Sequence, residues 1–228
     1  MYNVIFNNKR CLDMGVLVVR RPDIPAPLTD VVEYAVPGRD GIIQSRIKRL
    51  EPLDFDIEFN FLTRNPDHFG DTFRRCKRWL SGSGKLTFSD DLEWFYNVYR
   101  VEIIDSERTS KRIGTFTASF RCDPYVYAQD GDRWHTVDEC LTNNFNACQP
   151  LYHVTTSGDW TLTVNGNTFS GSGETYIDTA EMVAYGADDT IKNTTTIGDF
   201  EDFYLNEGEN EISISGGTLM IKPRWRSK

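Results

Sequence analysis

A mainly β chain in two domains, with one helix in the first, is the fold class that three features of the sequence predict. The first is strict alternation. In DFDIEFNFL, apolar Phe55, Ile57, Phe59 and Phe61 alternate with Asp54, Asp56, Glu58 and Asn60, the period of two that buries one face of an antiparallel strand and wets the other. The second is a lone helical pattern set among strands, which lacks the strand and helix alternation of a parallel α/β sheet. The third is a step in charge. Residues 1–127 hold 19 Lys+Arg against 18 Asp+Glu and residues 128–228 hold 6 against 16, so +1 and −10 make up the formal −9. Such a step marks two domains with different surroundings.

Taken in order, MGVLVVRR reads as a strand, and EYAVPGRDGIIQ as a β-hairpin. Gly38 and Gly41 supply the positive φ of its turn and Pro37 presets the entry. The alternating strand at 54–62 follows. Asn65 then caps a helix whose first position is Pro66, with Asp67 at the positive end of the dipole. Phe69, Phe73, Cys76 and Leu80 form its apolar stripe, with Trp79 at the edge. Arg74 and Arg78 lie opposite, Arg75 and Lys77 flank them, and Gly82 is available for the left-handed stop. NVYRVEII predicts a strand with Tyr99, Val101 and Ile103 inward, and GTFTASFRC one with Phe116, Ala118, Phe120 and Cys122 inward.

Between DPYVY and PLY the periodicity fails amid Pro, Gly, Asp and Asn. The boundary is placed there, giving domains 1–128 and 129–228. Beyond it WTLTVNGNTFSG is a hairpin on Asn165-Gly166, a pair suited to a type I′ turn. ETYIDT, EMVAY, NEISIS and TLMIKPRW follow as short strands. Regular short strands of this kind indicate a β-sandwich.

Composition bounds the function. Hydrophobic residues at 39% and charged residues at 26% are those of a soluble globular protein. No apolar run nears the ~18 to 20 residues of a membrane span, and the N-terminal residues lack a signal-peptide pattern. The expectation is a cytosolic chain, or one that leaves by another route, without membrane insertion. The scattered Cys11, Cys76, Cys122, Cys140 and Cys148 read as reduced thiols. Neither half has the basic field of a free-standing nucleic-acid reader.

Sites of chemistry are sparse. WLSGSGKLTF misses the phosphate-loop spacing and follows a helix where the motif precedes one. His135, Cys140, Cys148 and His153 form a loose array that zinc would suit in ligand type, without the close Cys pair of a strong signal; small core thiols are the favoured reading, so no metal and no cofactor is expected. Acidic pairs at Asp54/Asp56, Asp90/Asp91, Asp188/Asp189 and Glu201/Asp202 read as solvated charge before glycosidase carboxylates. The basic set Arg74, Arg75, Lys77, Arg78, Arg46, Lys48 and Arg49 reads as a solvated face or a contact to an acidic neighbouring subunit before a phosphate grip. Trp134, Tyr152, Trp160 and Tyr185 read as buried sandwich aromatics before contacts to saccharide or a protein partner. The expectation is binding or architecture, not catalysis.

Several stretches in order carry a family resemblance over nearly the whole chain: VPGRDG, RCKRWL, GKLTFSDD, YNVYRVEI, GTFTASFRCDPYVY, GDWTLTVNG, YIDT, IGDFEDFYLNEGENEISISGG and IKPRWR. In these the chain resembles the distal tail proteins (Dit) of long, non-contractile-tailed bacteriophages infecting Gram-positive bacteria. The resemblance implies an N-terminal β-sandwich or split-barrel domain of tail-tube type with one helix, and a C-terminal galectin-like β-sandwich projecting as an arm. It implies a hexameric ring, alone or back to back with another, that joins the tail tube protein to the tail-associated tip protein in the virion. DNA would pass through without specific binding, and a receptor-binding or side tip protein would dock on the arm. On that reading the tip Pro37, Gly38, Arg39, Asp40 and Gly41 makes an inter-subunit or ring-to-ring contact, with a solvated turn as the alternative. Asp54, Asp56 and Glu58 line the lumen or face bulk water. A carbohydrate-binding module for the host cell wall is the alternative function.

Overall fold

The computed structural model describes residues 2–35, 37–38, 40–137 and 139–228; for residues 31–33 and 43–48 it describes the backbone alone. The chain divides into two compact units, Met1–Val126 with Lys228, and Tyr127–Ser227. Both are built from curled antiparallel sheets.

Unit 1 comprises β1 (Val4–Phe6), β2 (Lys9–Arg10), β3 (Val16–Val18), β4 (Thr29–Ala35), β5 (Ile42–Leu50), β6 (Leu53–Leu62), α1 (Phe69–Trp79), β7 (Gly84–Phe88), β8 (Asp91–Glu107) and β9 (Ile113–Ala128). The main sheet runs in the order β2-β1-β7-β8-β9-β6-β3, while β4 and β5 pair as a two-stranded ribbon. In β6 and β9 the register sets Phe55 opposite Phe120, Ile57 opposite Ala118 and Phe59 opposite Phe116, and all six are buried. Each buried Phe or Ile contributes roughly 1.5–3 kcal/mol.

Helix α1 lies on that apolar face. Phe73 stacks on Phe61 at 6.1 Å and meets Phe116 at 5.7 Å, and Trp79 meets Phe59 edge-on at 6.0 Å. Trp79 Nε1–H donates to Phe6 O at 3.2 Å. Gly114 permits the close approach, since a Cβ there would fall 2.5 Å from the Phe61 ring. Asn65 accepts from the Asp67 N–H as predicted, but Pro66–His68 is a 3-10 turn and the α-helix starts at Phe69. Gly82 takes φ +83° just past the helix.

MGVLVVRR yields the expected strand as the three-residue β3; Val19 N–H still bonds Glu58 O, but Pro22, Pro25 and Pro27 beyond it have no N–H to continue a ladder. One expectation needs correction. Tyr99 points outward, 52% exposed, and its hydroxyl donates to Asp123 at 2.9 Å. Val98 is buried and Val101 packs on the core. Two inward residues three apart break the period of two, so the strand changes phase between them.

Unit 2 holds β10 (His135–Thr136), β11 (Cys140–Asn143), β12 (Leu151–Thr155), β13 (Asp159–Val164), β14 (Asn167–Ser172), β15 (Thr175–Asp178), β16 (Val183–Tyr185), β17 (Gly208–Ser215), β18 (Thr218–Lys222) and β19 (Arg226–Ser227). One sheet runs β10-β18-β12-β15-β16 and the other β11-β17-β13-β14. The core gathers Tyr152, Val154, Leu162, Phe169, Ile177, Phe203 and Ile221 among others. Asn165 and Gly166 take φ 51° and 87°, the type I′ signature, between β13 and β14. The C-terminal segment is tied down by Arg224, whose two terminal nitrogens each donate to Asp178 at 2.7 Å.

Candidate functional site

The wet face of the β6/β9 pair is set by the alternation that fills the core. Asp54 lies opposite Arg121, Asp56 opposite Ser119 and Glu58 opposite Thr117. Among the described residues only Asp54 of this row has a cation partner, Arg121 at 3.3 Å, and both side chains are 40% or more exposed, so the pair is worth under about 1 kcal/mol. The result is a polar wall of carboxylates and hydroxyls. Because Phe59 and Phe61 meet α1, the acidic row and α1 lie on opposite sides of one sheet. On α1, Arg74, Arg75, Lys77 and Arg78 are exposed. Arg74 pairs with Asp71, Arg75 donates to Met14 O at 3.1 Å, and Lys77 Nζ sits 4.5 Å from the Phe73 ring centroid. Unit 1 is therefore acidic on the sheet side and basic on the helix side.

The ribbon carries the predicted tip. Gly38 and Gly41 take φ +81° and +86°, and Pro37, Asp40 and both glycines are exposed. Arg39 lies outside the described residues, as do the side chains of Arg46 and Lys48. Tyr34 is 55% and Ile42 52% exposed. At the ribbon root Arg49 pairs with Asp30 at 2.6 Å.

In unit 2 the four aromatic candidates separate into two pairs. Tyr152 and Trp160 are core residues, which corrects their reading as contacts to a saccharide or partner: Tyr152 is fully buried and donates to Phe203 O at 2.8 Å, and burial pushes its phenol pKa up. Trp160 donates to Gly173 O at 3.0 Å and lies parallel to Phe169. Trp134 and Tyr185 are on the outer face of the five-stranded sheet, at the two ends of a row that sequence reasoning missed. Between them stand His153 and Tyr176, which share cross-strand registers: His153 opposite Tyr176, and Tyr176 opposite Tyr185. Trp134 is 5.6 Å from His153, His153 stacks on Tyr176 at 4.0 Å and 4°, and Tyr176 stacks on Tyr185 at 5.2 Å and 8°. Lys222 Nζ lies 5.2 Å from the Trp134 ring. Tyr176 thus has His153 on one face and Tyr185 on the other, while Trp134 meets His153 tilted at 54°.

The loose His/Cys array does not come together as a site. His153 Nε2 is 2.9 Å from Glu174, and His135 Nε2 is 2.9 Å from Asp130 O. Cys140 is exposed on β11 in the other sheet. Burial pushes the Cys148 thiol up to about 12. Among the described residues no three His, Cys, Asp or Glu gather to hold a metal. Each of the five cysteines is free. The phosphate-loop lookalike is closed by its own protein: Asn7 accepts from the Lys85 N–H and donates to Ser83 O, each at 3.1 Å. Of the acidic pairs, Asp90 bonds Arg21 at 2.6 Å. Asp188 accepts from Thr190, which holds its carboxyl below the usual range.

No known family model and no curated protein matches the sequence. Among solved structures the chain matches that of phage SPP1 Dit, described as a paradigm of the hub adsorption apparatus in phages infecting Gram-positive bacteria. Identity is 13%, the TM-score is 0.69, and the match covers 97% of each chain. Unit 1 and unit 2 together thus have the fold of a siphophage distal tail protein.

Proposed function

We propose that this chain is a structural subunit of a phage tail hub, not an enzyme. Six copies close a ring that joins the tail tube protein to the tail-associated tip protein at the distal end of the virion tail, after assembly in the host cytoplasm. DNA passes through the central channel. The observation that carries the reading is the fold shared with SPP1 Dit from end to end. Unit 1 is the ring-forming belt and unit 2 the arm.

The charge layout of unit 1 supports a conduit. A lumen lined by Asp54, Asp56, Glu58 and hydroxyls repels phosphates and gains nothing from counterion release, so DNA slides. The ribbon supports assembly. A two-stranded hairpin is marginal by itself, and one that exposes Tyr34 and Ile42 gains by packing on a neighbour, with the tip Pro37, Gly38, Arg39, Asp40 and Gly41 as part of that contact. In a ring each copy offers this patch to the next heterologously.

A second reading, a carbohydrate-binding module acting at the host cell wall, draws on the aromatic row. It ranks lower because sugar stacking needs a free ring face, and Tyr176 at the middle of the row has both of its faces stacked. On the preferred reading that surface holds a receptor-binding or side tip protein. The test is solution mass by light scattering with negative-stain images of the same peak. Particles near six or twelve times 26.2 kDa with a central hole support the hub; a monomer together with glycan binding by the chain supports the module.

A further inference from the structure

We infer that the basic outer face of α1 docks on the outer face of the four-stranded sheet β11-β17-β13-β14 of a second copy of this chain. The inference rests on the ring reading and names one contact within it.

The helix face carries Arg74, Arg75, Lys77 and Arg78, all exposed, with Asp71 as the nearby carboxylate. Arg74 and Arg78 are four apart on one helix, a like-charge spacing that costs a few tenths of a kcal/mol in isolation. Among the described residues no carboxylate pairs with Arg78 within 4.0 Å. An Arg-rich face of this kind fits carboxylates presented in a plane, because the guanidinium fork binds them through two parallel hydrogen bonds.

The four-stranded sheet supplies that plane. None of its strands contains Lys or Arg. In β17, Asn210 and Ile212 point inward, so Glu209 and Glu211 point outward on one face. Cross-strand registers place Thr142 opposite Glu209 and Cys140 opposite Glu211, so neither carboxylate has a cation opposite it in the sheet. Unit 2 is the acidic one: residues 127–227 hold 5 Lys+Arg against 16 Asp+Glu, a formal charge of −11. The two surfaces are different patches, so the contact is heterologous and repeats from copy to copy until the ring closes.

The test is a charge swap in the full chain, read as mass by light scattering at low ionic strength, where exposed charges are least screened. One variant carries Arg74→Glu and Arg78→Glu, the other Glu209→Lys and Glu211→Lys; circular dichroism checks that each is folded. Each variant alone is expected to fall roughly twofold or more in mass. Mixed one to one, they are expected to regain the wild-type mass, because the reversed helix of one meets the reversed sheet of the other. An assembled wild type whose variants keep full mass, or whose mixture stays dissociated, overturns this contact and leaves the ring standing. A wild type that is monomeric overturns both.

Discussion

Two outward sheet faces of this molecule are built by the same rule and carry opposite chemistry. The wet face of β6 and β9 shows Asp54, Asp56, Glu58, Thr117 and Ser119; the outer face of β12, β15 and β16 shows His153, Tyr176 and Tyr185. Behind each lies a closed apolar core, Phe55 to Phe61 in one and Tyr152, Val154 and Ile177 in the other. Burial thus dictates only every second residue. The residues between them are unconstrained by the core, and what they carry is the record of what each face must meet: DNA in motion on one, in our reading, and a protein partner on the other.

The largest effects belong to the inner faces, which the comparison treats as alike. Phe116→Ala in unit 1 and Trp160→Ala in unit 2 are each expected to destabilise their own unit by about 3–5 kcal/mol, measured by urea unfolding. A loss under about 1 kcal/mol at either site would mean that its core is not closed as described.

Next comes the Asp178–Arg224 pair at the rim of the aromatic face. Burial opposes ionisation of Asp178, but two hydrogen bonds and the charge of Arg224, with the N–H groups of Glu181 and Ala180, outweigh it and hold the carboxyl below its usual range. A depressed folded-state value stabilises above the unfolded pKa, about 3.9, and the contribution is lost as pH falls through the folded value. Arg224→Met is expected to cost roughly 2–4 kcal/mol at neutral pH and to flatten the acid limb of a stability-against-pH curve. An unchanged acid limb would remove the pair from the account.

Smaller still is the aromatic row. Tyr176→Ser breaks two stacked contacts worth about 0.5–1.5 kcal/mol each; thermal unfolding should register the loss, while a partner protein captured by the wild type is released. Glycan binding that vanishes with Tyr176→Ser would favour the saccharide reading. The smallest effect is on the acidic row, where Asp56→Asn and Glu58→Gln should stay within about 0.5 kcal/mol of wild type. A larger loss would give those carboxylates a structural role that the geometry denies them.

Patterns confined to one strand or one turn were legible in the sequence. Phe55, Ile57, Phe59 and Phe61 declared their face because alternation is local, and Asn65 marked the 3-10 turn that leads into the helix through a cap that spans two residues. Asn165-Gly166 did the same for its hairpin. Tyr99 was misplaced because a phase change in a strand leaves no mark in composition. Tyr152 and His153 could not be told apart, since LYHVT has apolar residues at both parities. The row of Trp134, His153, Tyr176 and Tyr185 depends on two cross-strand registers among β12, β15 and β16 and on the place of Trp134 just before β10, which periodicity does not encode. Trp134 and Tyr185 were named, and the two rings that join them were not.

The most direct measurement of the central claim is the position of a label on the acidic face of the assembled protein. In a Cys140→Ser background, which removes the exposed thiol, Glu58→Cys is labelled with maleimide nanogold and imaged by electron microscopy. The account predicts six-fold rings with gold inside the central hole. Gold on the outer rim, or particles without a ring, would contradict it.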